Sequence, residues 1–147
     1  MATITPEQLQ GIYEDVALLQ SQVAELQAQM TELQLPVSFI TGEVTETKEA
    51  FNGNKVYCKT INIGSLPNAT NKLVATGLNM SEVNIVRVEG TARNNAGTTI
   101  PLPNTTPTTS YLIGCFVTAG GNIQIDTAID RSEYNGVVRV YYTIIER

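Results

Sequence analysis

The chain has no histidine and no tryptophan among its 147 residues. Without an imidazole there can be no Ser-His-Asp or Cys-His nucleophile system, no HExxH zinc helix and few of the ordinary zinc or copper sites. Charge is also scarce: Asp, Glu, Lys and Arg make up 16% of the chain, against about a quarter in an average globular domain. Thr, Asn and Gln fill the gap. The formal net charge of -5 argues against the basic face that nucleic acid or an anionic membrane surface demands. No apolar run approaches a membrane span, and the N-terminus lacks the basic start and apolar stretch of a signal peptide. Synthesis and assembly in a cytoplasm are therefore expected, with no nucleic-acid partner and no membrane insertion. P-loop, GxSxG and dinucleotide fingerprints are missing as well. The expectation is a protein that is not an enzyme, with no catalytic residues, no cofactor and no resident metal. The two cysteines, Cys58 and Cys115, have neither CxxC nor zinc-ribbon spacing and lie in apolar runs. Buried free thiols are the plainer reading, and a disulfide between them stays open.

What is present divides at Pro36. Residues 1–35 carry the acids Glu7, Glu14, Asp15, Glu25 and Glu32 and no base, while the other nine acids balance all nine bases downstream. The whole net charge thus belongs to the first segment. Thr5-Pro6-Glu7-Gln8 forms a capping box, with Thr5 as N-cap, Pro6 at the first helical position and Gln8 reaching back. Pro36 blocks continuation and biases Leu35 away from helical dihedrals. Between these signals the apolar residues are Leu9, Ile12, Val16, Leu19, Val23, Leu26, Met30 and Leu33, spaced 3 and 4 alternately without a slip. That is a coiled-coil seam, with Leu9, Val16, Val23 and Met30 at position a and Ile12, Leu19, Leu26 and Leu33 at d. A helix folded back on its own domain normally adds apolar residues at e or g. Here g is Gln8, Asp15, Gln22 and Gln29, and e is Tyr13, Gln20, Gln27 and Gln34. Self-association follows. The heptads alone do not choose between two and three strands.

Residues 36–147 read as β structure. Asn52-Gly53 between Thr45–Phe51 and Lys55–Ile63 is the strongest short hairpin signal. Val83–Val88, Ser110–Thr118, Asn122–Asp126 and Gly136–Ile145 are further Val/Ile/Tyr/Thr-rich runs, with Gly120-Gly121 joining two of them. Pro101, Pro103 and Pro107 mark a loop or an edge segment. Seven or eight short strands without helical alternation predict an antiparallel β-sandwich, jelly-roll-like, as a head domain over 36–147, behind an attachment segment and stalk over 1–35.

Little in this part offers chemistry. The only dense acidic stretch runs from Asp126 through Asp130 to Glu133; it lacks the EF-hand glycine, and Arg131 is expected to pair one of its acids rather than leave a calcium site. No carboxylates flank an aromatic cleft as a glycosidase would need. The sequons at Asn68, Asn79 and Asn104 are by-products of an Asn- and Thr-rich chain. More informative are loops rich in amides and hydroxyls beside tyrosines, the residue types that hydrogen-bond sugar hydroxyls and pack on a pyranose. They nominate Asn94, Asn95, Asn104, Tyr111, Tyr134 and Asn135 as glycan-facing.

The run Gly53-Asn54-Lys55-Val56-Tyr57-Cys58-Lys59-Thr60-Ile61 resembles a recurrent module of bacteriophage tail-fibre and receptor-binding proteins, with Asn54 where the family prefers Lys. Gly64-Ser65-Leu66-Pro67-Asn68 is similar to a following G-x-L-P-N segment, and Ile100-Pro101-Leu102-Pro103 to an I-P-L-P segment. Val138-Arg139-Val140-Tyr141-Tyr142-Thr143 is similar to a closing strand. The resemblance covers about residues 43–145. It implies a trimeric β head on a coiled-coil or fibrous stalk, displayed on the virion, and supplies no residue-level receptor site. Long tail fibres carry a large N-terminal anchoring domain; here about eight residues precede the seam, so a short fibre on head or tail is expected.

The leading expectation is a virion protein, a short homotrimeric phage fibre whose β head adsorbs to host surface carbohydrate. Its N-terminal segment, with Leu18 apolar at an outer position, would dock on another virion protein. The alternative is a capsid or baseplate decoration protein that stabilises without binding a receptor. A capsule depolymerase or a cellular coiled-coil adaptor explains fewer of these features.

Overall fold

The computed structural model describes residues 2–147, which divide into two units, one ending at Pro36 and one spanning Val37–Arg147. The first unit is one helix, α1 (Pro6–Gln34). Its start follows from local chemistry. Gln8 N–H donates to Thr5 Oγ1 at 3.2 Å, and Thr5 N–H donates to Gln8 Oε1 at 2.9 Å. Pro6 sits where a helical N–H would have no partner in any case. At the other end Leu35 turns extended, at φ -63° and ψ 137°, while its N–H donates to the carbonyls of Thr31 and Glu32. No residue of α1 is buried, and the eight residues of the seam are 42–71% exposed.

The second unit is β throughout, apart from one 3₁₀ turn at Thr109–Tyr111. Its strands are β1 (Val44–Phe51), β2 (Asn54–Ser65), β3 (Asn71–Ala75), β4 (Val83–Arg93), β5 (Thr99–Leu102), β6 (Ile113–Val117), β7 (Asn122–Thr127) and β8 (Asn135–Ile144). They form two antiparallel sheets, of order β1-β2-β8-β4-β5 and β3-β7-β6. Asn52 and Gly53 join β1 to β2 with φ of 49° and 78°, the two left-handed residues of a tight hairpin turn. Pro101 lies in β5, the edge of the five-stranded sheet, where a missing N–H costs no internal ladder bond.

Alternation along the strands builds the core. Ile123, Ile125 and Thr127 of β7 and Val138 and Val140 of β8 are buried at every second position. The four apolar ones meet Ile61, Ile63, Leu102, Ile113 and Cys115, so residues from both sheets share one cluster. A smaller cluster of Val56, Cys58 and Tyr141 lies on the opposite face of the five-stranded sheet.

Several sequence expectations shift. β3 was not anticipated: its five residues alternate exposed and half-buried, too short a pattern to stand out. The stretch expected as strand from Ser110 begins only at Ile113, because residues 109–111 turn as 3₁₀ helix. β4 continues past Val88 to Arg93.

Gly90 marks the tightest approach in the large sheet. A Cβ there would lie 2.5 Å from the Val137 carbonyl oxygen and 3.0 Å from Val138 Cγ2. Backbone has to move to admit it. Gly90→Ala is expected to destabilise the head by about 2 kcal/mol, read as a lowered urea midpoint with an unchanged m-value; a wild-type midpoint would show that β4 and β8 are less closely held.

Candidate functional site

Strand register decides which loops meet. Asn135 opens β8 opposite Ser65, the end of β2, and opposite Arg93, the end of β4. The turn after β4 therefore lies at the same end of the large sheet as Asn135. In that turn Asn94 is spent on local structure: its Oδ1 accepts from Thr98 N–H at 2.8 Å and its carbonyl from Gly97 N–H at 3.1 Å. Asn95 at the tip is exposed.

The loop between β5 and β6 is held by Asn104. Its backbone exchanges two 3.1 Å hydrogen bonds with Ile113, and its Nδ2 donates to the Tyr111 carbonyl at 3.3 Å. Tyr111 N–H closes the turn on Thr108 O at 3.0 Å. The ring that follows is half exposed, at 50%.

The loop between β7 and β8 is pinned to the loop after β2. Arg131 N–H donates to Pro67 O at 3.1 Å, Leu66 N–H to Tyr134 O at 2.8 Å, and Ser65 Oγ to Ser132 O. Arg131 then lies 5.2 Å from the Tyr111 ring centroid and 5.9 Å from that of Tyr134. The structure thus sets Tyr111 and Tyr134 beside Arg131, a residue not nominated for the site, with Asn104 bonded to the Tyr111 carbonyl, and places Asn94, Asn95 and Asn135 at the ends of neighbouring strands. Two corrections follow. Tyr134 is 6% exposed and belongs to the core cluster, so its ring has no free face for a sugar. Arg131 forms no ion pair with Asp130 or Glu133 among the described residues. Asp130 instead accepts from Ser132 N–H at 2.9 Å and Ser132 Oγ at 2.6 Å, and those bonds hold its carboxyl below the ordinary carboxylate range. The signal for Arg131 was its place beside Tyr134, but neighbouring acids suggested a simpler partner.

No three His, Cys, Asp or Glu side chains come together as a metal site among the described residues. Nor is any helix there long and apolar enough to cross a membrane.

The outer face of the large sheet carries a second polar cluster. Arg87 grips Glu49 with two hydrogen bonds of 2.7 and 2.9 Å, and its guanidinium lies 3.7 Å over the Tyr141 ring. Glu49 is held below the ordinary carboxylate range by that bidentate contact. Arg139 faces Glu89 at 3.6 Å and the Phe39 ring at 5.1 Å. Phe39 meets Tyr141 edge-on, with centroids 6.2 Å apart. A shallow groove of about 250 Å3 runs past Phe39, Thr60, Val137 and Arg139. These charges satisfy one another.

Both thiols are free and buried. Burial pushes Cys115 up to about 11 and raises Cys58 as well.

These features define a mainly β chain with one N-terminal helix and two antiparallel sheets. No protein-family model matches it, and comparison with curated proteins and with solved structures finds no match either.

The two tyrosines should separate cleanly in stability. Tyr111→Ala is expected to leave the unfolding free energy within about 0.5 kcal/mol of wild type, as for an exposed residue. Tyr134→Ala should cost about 3 kcal/mol, the usual loss for a large buried ring; equal urea midpoints would contradict the inward placement of Tyr134. The thiols offer another check, since a protonated and inaccessible thiol reacts slowly. At pH 8 a colorimetric disulfide reagent should label neither cysteine in the native protein and both in urea. Rapid native labelling of either would show that it is not enclosed.

Proposed function

We propose that this protein is a short homotrimeric bacteriophage fibre, a virion protein whose β head adsorbs to host surface glycans. The carrying observation is the contrast between the two units: a head with its own two-sheet core, and a helix whose eight-residue seam has no buried member. An exposed apolar stripe with regular 3-4 spacing is removed from water most simply by pairing with copies of itself. The resemblance of Gly53–Ile61 and the later motifs to phage receptor-binding modules favours three strands over two. In this reading α1 is a coiled-coil stalk and the head is an antiparallel sandwich of the jelly-roll kind. Ile4 and Leu18, 61% and 58% exposed and off the seam, supply apolar contacts for docking on another virion protein. Assembly takes place in the host cytoplasm.

The head's contribution is adsorption. Asn95 and Asn135 present amides and Tyr111 a half-exposed ring at one set of loops. A single such site is weak, and three heads on one stalk raise avidity about 100-fold or more without any new contact.

Light scattering of the purified protein should give three times the 15.9 kDa chain mass. Leu19→Asp combined with Val23→Asp places unpaired charges at adjacent d and a layers and should reduce this to a monomer with the head's β signal intact. The wild-type trimer should bind host cells strongly and the monomeric variant weakly. A wild-type monomer would overturn the stalk, and a dimer would overturn the fibre. A trimer that binds no host cell would leave a capsid or baseplate decoration protein as the reading.

A further inference from the structure

We infer that Arg131, Tyr111 and Asn104 form a subsite for an acidic sugar, a pyranose bearing a carboxylate. This rests on the adsorption reading and adds the class of ligand to it.

Two other arginines of this head have acids. Arg87 is bidentate on Glu49, and Arg139 faces Glu89. Arg131 is placed with equal care but lacks a counterion. Its backbone is bonded at both ends, N–H to Pro67 O at 3.1 Å and carbonyl from Tyr134 N–H at 2.9 Å. The closest acid in sequence on its N-terminal side, Asp130, is turned to Ser132. Its Nε is buried and has no hydrogen-bond partner, and its side chain makes no ion pair among the described residues. What holds the guanidinium is aromatic: Tyr111 at 5.2 Å and the core ring of Tyr134 at 5.9 Å.

A guanidinium braced by rings, with its Nε buried, loses part of its hydration and stays oriented. Those are the conditions under which a carboxylate bonds to it most strongly. The neighbours fit the rest of a sugar. Tyr111 offers an exposed ring for the apolar face of a pyranose. Asn104 donates its amide N–H to the Tyr111 carbonyl, fixing that ring's turn, and its amide oxygen is left to accept from a sugar hydroxyl. A purely structural brace would need the rings and the cation, but no exposed face on Tyr111.

The test uses the full-length trimer and three immobilised polymers: polygalacturonate, polysialic acid, and polygalacturonate methyl ester, which keeps the sugar chain and removes its charge. Wild-type protein should bind at least one acid polymer at least tenfold more tightly than the ester, with affinity falling as salt rises. Arg131→Gln should lose that preference while keeping the trimer mass, and Arg131→Lys should retain part of it with a steeper loss in salt. The wild-type comparison of acid with ester needs no variant, so a folding defect in Arg131→Gln does not blunt it. Equal binding of acid and ester, failure to bind either acid polymer, or a folded Arg131→Gln trimer with wild-type preference would each overturn the inference. Host-cell binding by the same wild-type preparation tells which reading has failed. If cells are bound, only the acidic class falls; if they are not, the adsorption reading falls with it.

Discussion

Strand β8 is the constraint on which the head depends. β2 and β4 share no ladder with each other, and the five-stranded sheet exists because β8 is hydrogen-bonded to both. Its alternation serves two faces at once. Val138 and Val140, with no exposed surface, complete the shared core, while Arg139 and Tyr141 organise the outer face against Glu89, Arg87 and Phe39. The residue before the strand, Tyr134, is itself a core ring, and it anchors the loop on which Arg131 stands. Loop geometry at the candidate site is therefore set from within the sheet. Because β8 is the last strand of the chain and both its partners are far upstream, its pairing is non-local, the kind of contact that slows folding.

The two polar clusters of the head differ in a way that bears on recognition. On the outer face of the large sheet, acids and bases alternate across β4 and β8 and neutralise one another, a common arrangement for a solvated sheet surface. At the loop end, the amides of Asn94 and Asn104 are partly committed to their own turns, and one cation, Arg131, lies between two rings without an ion pair among the described residues. In the proposed reading, specificity would come from the groups left without an internal partner.

The legible parts of the fold were those governed by neighbours in sequence. The capping box at Thr5, the stop at Pro36 and the Asn52-Gly53 turn act over a few residues and appear as read. β5 keeps the edge position that its proline demands. β3 escaped because Asn71–Ala75 is held by its ladder to β7 rather than by any strong pattern of its own. The same distinction separates the tyrosines. Tyr111 and Tyr134 both sit in polar loops, and only the packing of Leu66, Ile63 and their neighbours makes one a core ring while the other stays exposed. Arg131 was visible as a residue but not as a site, since its partners come from loops 20 residues upstream and three residues downstream.

The helix carries five acids and no base, and their heptad positions matter. Glu7 and Glu14 fall at f and Glu25 and Glu32 at c, on the outside of the proposed bundle, and only Asp15 at g borders the seam. Tyr13 and six glutamines fill the remaining flanks. Three such helices side by side would form a polyanionic rod with an uncharged interior, held by burial and opposed by its own field. Within a Debye length of about 8 Å at physiological salt, neighbouring stalks would feel that repulsion. Fibres crowded on one surface would stand apart from one another like the bristles of a charged brush.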